Sequence, residues 1–488
     1  MLRSAVLIVA LSSALFFVPN AFGGEPTGST ARPAAEAAVT AQSGDDWPCF
    51  LGPLGTGVTG DRGLADRWPE TGPPIVWAKR IGSGYSAPSV RGGKLVLHHH
   101  KVEDVVQCVH AETGEPIWKF EYLCIASDGI EVGNGPRCTP LLTADRCYTY
   151  GADGKLLCLD MQTGKPVWSR NTLADFPGPG GFFGVGCTPI LEDDRLIVLV
   201  GGQPNSGVVA FRADTGQTVW QSVGKDTWDG APTTWRQEPV YRWTGNEQIV
   251  SYSSPIAVTI HGKRHILCLM RHGLVSVDPR DGHVNFKYWF STRKIDSVLA
   301  ARPVVIDDKI FLTASYGVGS VLLQVEPSGQ AVKLLWKGTM QAHWSTPIHL
   351  DGFIYGFSGR NEESGSLQCV DLKTGKTKWS TTGYDETLDR LAHDSQTGEI
   401  KDRATRKVVP FPRFGRGSLT LAGRRLLVLG ERGTLALAEM SPAGYHELAR
   451  ASFKGIGFPI WPSPVLAGTR LYLRDESTLM CIDLGRKP

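Results

Sequence analysis

The chain has 488 residues and a formal net charge of +3, from 51 Lys and Arg against 48 Asp and Glu. That balance excludes a strongly basic nucleic-acid tail and an acidic solvating chain, and 41% hydrophobic with 20% charged residues excludes a disordered polymer. The 57 Gly, 31 Pro and 14 Trp point instead to many turns between short strands, with a recurring aromatic.

The N-terminus reads as an export signal. Arg3 precedes the apolar run from Ser4 to Val18, and small residues follow at Ala21 and Gly23, so a signal peptide is expected over 1–23. No Cys stands at the expected cut, which argues against a lipid anchor. Residues 24–45, rich in Ala, Gly, Ser, Thr and Pro, read as a flexible linker. An N-terminal segment follows over 46–74. No later apolar run reaches eighteen residues, so no helical membrane span is expected in the mature chain.

From residue 75 onward two anchors recur. One is a short strand opening with Pro or a small residue, at Pro88, Pro140, Pro189, Pro255, Pro303, Pro347, Leu419 and Pro464. The other is a turn of the form Asp-x-x-Thr-Gly followed by Trp. It runs from Asp160 through Thr163-Gly164 to Trp168, and from Asp371 through Thr374-Gly375 to Trp379. Variants end at Trp118, Trp220, Phe286 and Trp336. The second unit shows the internal pattern: Cys138–Leu142, Arg146–Tyr150, Lys155–Leu159, then Pro166–Trp168. Short strands between Gly and Asp turns, without a helical period, predict four-stranded antiparallel blades. Eight such units predict an all-β, eight-bladed β-propeller over 75–488. The last unit lacks a fourth strand and its Trp, and Ile75-Val76-Trp77 looks like the missing piece. Closure by this N-terminal strand is therefore expected.

Cysteines follow the repeat. Cys108, Cys158, Cys369 and Cys481 share one third-strand position, and Cys138 and Cys187 share another, so these six read as buried fillers. Cys49, Cys124, Cys147 and Cys268 stay open. His98-His99-His100 lies at a strand end, where alternation separates neighbours, so no shared metal is expected.

Two insertions stand out. One carries Trp228, Trp235, Tyr241 and Trp243, which must cover or bind something. The other spans Asp385 to Arg416. The residue three before each strand-opening position is Tyr85, Arg137, Gly186, Tyr252, Ala300, Trp344, Arg416 and Trp461. With the opening strands innermost, these residues ring one mouth of a central channel. Aromatic faces and forked Arg donors suit a planar anionic ligand or a peptide. Asn134, His343 and Arg302 add polar capacity nearby.

The Asp-x-x-Thr-Gly-Lys-x-x-Trp turns at Asp160 and Asp371 resemble the pyrroloquinoline-quinone-type propeller repeat, and Asp46-Trp47-Pro48-Cys49-Phe50-Leu51-Gly52-Pro53 is similar to a segment preceding such propellers in exported bacterial proteins. The resemblance covers residues 46–488. It implies one of two activities: quinone-dependent alcohol or sugar oxidation with pyrroloquinoline quinone and calcium, or a scaffold of outer-membrane protein assembly. A dehydrogenase would use Tyr85, Asn134, Arg137, Tyr252, Trp344, Arg416 and Trp461 around the quinone. Asp128 and Glu131 lie in the same loop as Asn134. No adjacent Cys-Cys pair and no Cys-x-x-Cys-His occur. A monomeric exported binding protein, in the periplasm or outside the cell, with an envelope protein or a planar anion as partner, is the expectation. Quinone-dependent dehydrogenase is the alternative.

Overall fold

The computed structural model describes residues 46–60, 63–124, 135–181, 183–233, 239–291, 298–383, 388–393 and 400–486. The expected signal peptide and linker lie outside the described residues, as do Asp128, Glu131, Asn134 and Trp235. Among the described residues no helix is long and apolar enough to cross a membrane.

The chain is all-β, built of antiparallel blades of four strands that follow one another along the sequence. In the second blade Leu141–Leu142, Arg146–Tyr150, Lys155–Asp160 and Pro166–Asn171 pair in chain order. Leu156, Leu157, Cys158 and Leu159 are at most 1% exposed. Neighbouring sheets cover both faces of this strand, so it is a continuous apolar run rather than an alternating one. The outer strand Pro166–Asn171 alternates between exposed and half-buried residues.

The Asp-x-x-Thr-Gly turn explains its own sequence. Asp160 Oδ1 accepts from the Gln162 and Thr163 amides and from Thr163 Oγ1, at 3.1, 2.8 and 2.8 Å. This is an Asx turn, which holds the reversal without further support. Gly164 then adopts φ +70°, a conformation that costs other residues about 1–2 kcal/mol. The Trp118 ring of the preceding blade lies directly over it, leaving no room for a Cβ, and Trp118 Nε1 donates to Met161 O at 3.1 Å. The same pairing of Trp with Gly joins Trp168 to Gly216, Trp220 to Gly282 and Trp336 to Gly375. Gly164→Ala is expected to lower unfolding free energy by about 2 kcal/mol or more, because it adds both backbone strain and a clash. Urea denaturation checks this against Gly180→Ala, where a Cβ meets nothing within 4 Å.

Opening strands of successive blades are laced by hydroxyls. The Thr139 amide donates to Thr188 Oγ1 at 3.0 Å, the Thr188 amide to Ser254 Oγ at 2.8 Å, and the Arg302 amide to Thr346 Oγ1 at 3.0 Å. The segment after residue 46 threads past these strands. Trp47 bridges Val90, the Leu142 amide donates to Pro48 O at 2.8 Å, and Val58–Thr59 pairs in parallel with Leu421–Ala422. Ile75–Arg80 pairs antiparallel with Thr478–Asp483, the third strand of the last blade. Trp77 Nε1 donates to Ala111 O in the first blade at 2.9 Å.

All ten cysteines are free thiols. One expectation about a polar residue is corrected. Arg302 does not offer donors to a ligand at a mouth. It is 6% exposed, and its guanidinium holds Gly55 O at 2.8 Å and Pro255 O, tying the N-terminal segment to the blades. Of the two roles open to the Trp-rich insertion, Trp228 takes that of covering, being 1% exposed and part of the core. With Tyr241, Trp243 and Trp289 it surrounds His272, at ring-centre distances of 4.9–6.2 Å.

Candidate functional site

The expected mouth residues that the structure describes fall into one connected arc. It starts at Tyr252, whose ring meets Phe183 edge-on at 5.6 Å. The Arg137 guanidinium lies 5.4 Å from the Phe183 ring centre and 5.8 Å from that of Tyr85. Tyr85 packs on Trp461 at 4.8 Å, and Trp461 on Trp344 at 5.4 Å. Trp344 in turn meets His343 at 5.1 Å. A Cβ on Gly186 would strike Tyr252 and approach Arg137, so glycine there lets the arc close up. Ala300 brings neither ring nor charge, and Asn134 lies outside the described residues. Each side chain of the arc is half-buried. Repeat phase places them there, since each stands three residues before an opening-strand position.

The electrostatics were not foreseen. Glu431, on the hairpin between strands Arg425–Leu429 and Leu435–Glu439, is completely buried under the arc. It accepts from Arg416 Nη2 at 2.8 Å, Arg416 Nε at 3.1 Å, the Arg416 amide at 2.8 Å and Trp461 Nε1 at 3.2 Å. The Arg416 guanidinium also lies 4.5 Å from the Trp344 ring centre and 5.5 Å from that of Trp461. Its faces and its fork are thus all occupied by the protein itself. Tyr85 donates to Glu476 Oε1 at 2.5 Å. Burial, then Arg416 and Arg360, hold His343 down at about 4, so it is neutral. Beyond the arc, Phe458 is 51% exposed and flanks Arg432, whose guanidinium lies 5.0 Å from the ring centres of both Phe458 and Phe411.

A cleft of about 500 Å³ lies elsewhere, between the outer strands Thr218–Ser222 and Val284–Trp289. None of the arc residues lines it.

Comparison with known proteins decides the family. A repeat family described as outer membrane protein assembly factor BamB matches residues 102–381, more than half of the chain. The chain belongs to this family of PQQ-type propeller-repeat proteins. It is also similar to a quinohemoprotein alcohol dehydrogenase of Comamonas testosteroni, 24% identical over 329 residues, covering 57% of this chain and 44% of that protein. BamB of Aliivibrio fischeri is 52% identical over 33 residues, 7% of this chain and 9% of that one. The chain therefore spans less than half the length of the curated relatives it matches. Among solved structures, BamB from Moraxella catarrhalis superposes with TM-score 0.54 at 13% identity, over 85% of this chain and 98% of that one. A europium-containing methanol dehydrogenase superposes with TM-score 0.51 at 13% identity, over 90% and 91%. These likenesses show a propeller fold.

Family membership leaves open whether a quinone binds, so the arc has to be tested against one. A carboxylated planar quinone needs free cations and an open aromatic face. In the arc Arg416 is paired with the buried Glu431, so its charge is already balanced within the protein. Of the two arginines in the arc, Arg416 is thereby taken up by Glu431, while Arg137 lies between the Phe183 and Tyr85 rings.

Proposed function

We propose that the protein is an exported scaffold: an eight-bladed propeller over 75–488, closed by the strand at 75–80, that binds another envelope protein through the face carrying the arc. The internal Arg416–Glu431 pair carries this reading, because it balances within the protein one of the two arginines a quinone would use. Membership in a family described as an outer-membrane assembly factor supports it. The N-terminal signal over 1–23 supports export. The half-exposed Phe458, with Trp461 6.5 Å away between ring centres, offers the aromatic anchor that protein contacts favour.

The test has two arms. Titrating the mature protein with pyrroloquinoline quinone and calcium is expected to give no saturable signal and no dye-linked alcohol oxidation. Affinity capture from an envelope extract is expected to retain a partner, with retention falling roughly tenfold or more in Phe458→Asp. Saturable micromolar quinone binding, lost in Arg137→Ala, would overturn the scaffold reading in favour of a dehydrogenase.

A further inference from the structure

A second cluster lies where the first and second blades meet. Asp104 opens the third strand of the first blade, Asp104–His110, and its side chain has no exposed surface. No lysine or arginine pairs with it among the described residues. Its partners are His100 Nδ1 at 2.8 Å on Oδ1 and the Tyr122 hydroxyl, which donates to Oδ2 at 3.1 Å. Cys124, just after the fourth strand, and Asp153, on the hairpin between the second and third strands of the second blade, turn toward the same place. One ligand atom each from Asp104, Cys124 and Asp153 lies within 4.8 Å of the others.

Two further observations mark the spot. A Cβ on Gly151 would fall against Tyr122 Oη, 2.6 Å from Asp153 Oδ1 and 3.5 Å from Asp104 Oδ2, so three oxygens from three elements converge beside a glycine. His98, completely buried, shares its Nε2 with the same Tyr122 hydroxyl at 3.1 Å and stands 3.7 Å from Asp104 Oδ2. The Cys124 thiol hydrogen-bonds Asp153, and a cation in place of that proton would bridge the thiolate and both carboxylates.

We propose that Asp104, Cys124 and Asp153 bind one divalent transition-metal ion of the zinc class. The donor set decides the class. Calcium and magnesium take all-oxygen shells, whereas a thiolate beside carboxylates suits zinc and its neighbours. Zinc bonds of about 2.0–2.3 Å require only a small inward closure of the half-buried Cys124 and Asp153. Each carboxylate oxygen has a second lone pair, so Asp104 can ligate while keeping His100 and Tyr122. Those two would then orient the ligand from outside. A water takes the remaining position.

The inference is independent of the arc and of the scaffold reading. The full chain, stripped with a chelator, is titrated with Zn²⁺ by calorimetry and with Co²⁺ by absorbance. One ion per chain is expected, and Co²⁺ should produce a thiolate-to-metal charge-transfer band in the near ultraviolet. That band should vanish in Cys124→Ser, and Asp153→Asn should weaken Zn²⁺ binding at least tenfold. Both variants change half-buried side chains, so they avoid the fully buried Asp104, and circular dichroism confirms that they fold. Absence of saturable binding, a Co²⁺ spectrum without the thiolate band, or unchanged affinity in both variants would overturn the site. Tight binding of Ca²⁺ with none of Zn²⁺ would overturn the assigned class.

Discussion

Moving the protein from pH 7.5 to pH 5 is expected to remove roughly 6 kcal/mol of its stability. Three buried histidines are enough for this, and His98 and His343 are shifted the same way. His99, His265 and His272 are 1%, 0% and 7% exposed, and burial pushes each down to about 4. Opposing influences are smaller: the Gln107 bond at His99, Asp278 near His265 and Glu247 near His272. In the unfolded chain each titrates near 6.5. A depressed histidine favours the fold above its unfolded value, and that advantage is lost as pH falls through the window from about 6.5 to about 4. At pH 5 each group loses about 2 kcal/mol, and the sum is comparable to the whole stability of many domains, about 5–15 kcal/mol. Urea denaturation at the two pH values measures it. His272→Phe should keep the aromatic box filled by Trp228, Tyr241, Trp243 and Trp289 while removing one proton from the pH slope. Equal stability at pH 7.5 and pH 5 would contradict the account.

Parts of this molecule are legible from its residues because a local rule fixes them. The Asp160 turn is an Asx turn, and Gly164 has to lie bare beneath Trp118. The third strands are apolar without alternation because sheets cover both their faces. Repeat phase alone puts Tyr85, Arg137, Tyr252, Trp344, Arg416 and Trp461 at matching positions, and the structure joins them in one arc. Pairing across blades is not legible in this way. Glu431 sits on a hairpin with no repeated signal, yet it balances the charge of Arg416 in the arc. Arg302 occupies the position that Thr139, Thr188 and Thr346 hold in other blades, and only tertiary structure shows that its guanidinium reaches down to Gly55. Trp228 shows the limit for aromatics, since an indole that fills a core and one that meets a partner look alike in a sequence. His98 and His100 share a face by alternation, but Asp104, Cys124 and Asp153 come together only across the seam between blades.

Removing residues 1–80 is expected to abolish the monomeric fold, whereas removing 1–45 should leave the melting temperature unchanged. The difference rests on what lies between. Ile75–Arg80 supplies the fourth strand of the last blade, in register from Ile75 against Ile482 to Arg80 against Thr478. Without it, Thr478–Asp483 becomes an open, apolar sheet edge, the kind of template that other chains add to. Trp77 is also the indole that the last blade lacks, and it reaches Ala111 and lies over Gly114 of the first blade as Trp118 does over Gly164. Trp47, 1% exposed, goes with the same deletion. Loss of one buried Trp side chain typically costs about 3–5 kcal/mol, so losing two together with a strand exceeds what most domains can spare. Trp77→Ala alone isolates the seam: it keeps the strand, so it should lower stability by that single-residue amount without aggregation. Size-exclusion chromatography with thermal melts separates these cases. A truncated chain lacking 1–80 that stays monomeric and melts like the one lacking 1–45 would show that the ring does not depend on its N-terminal strand.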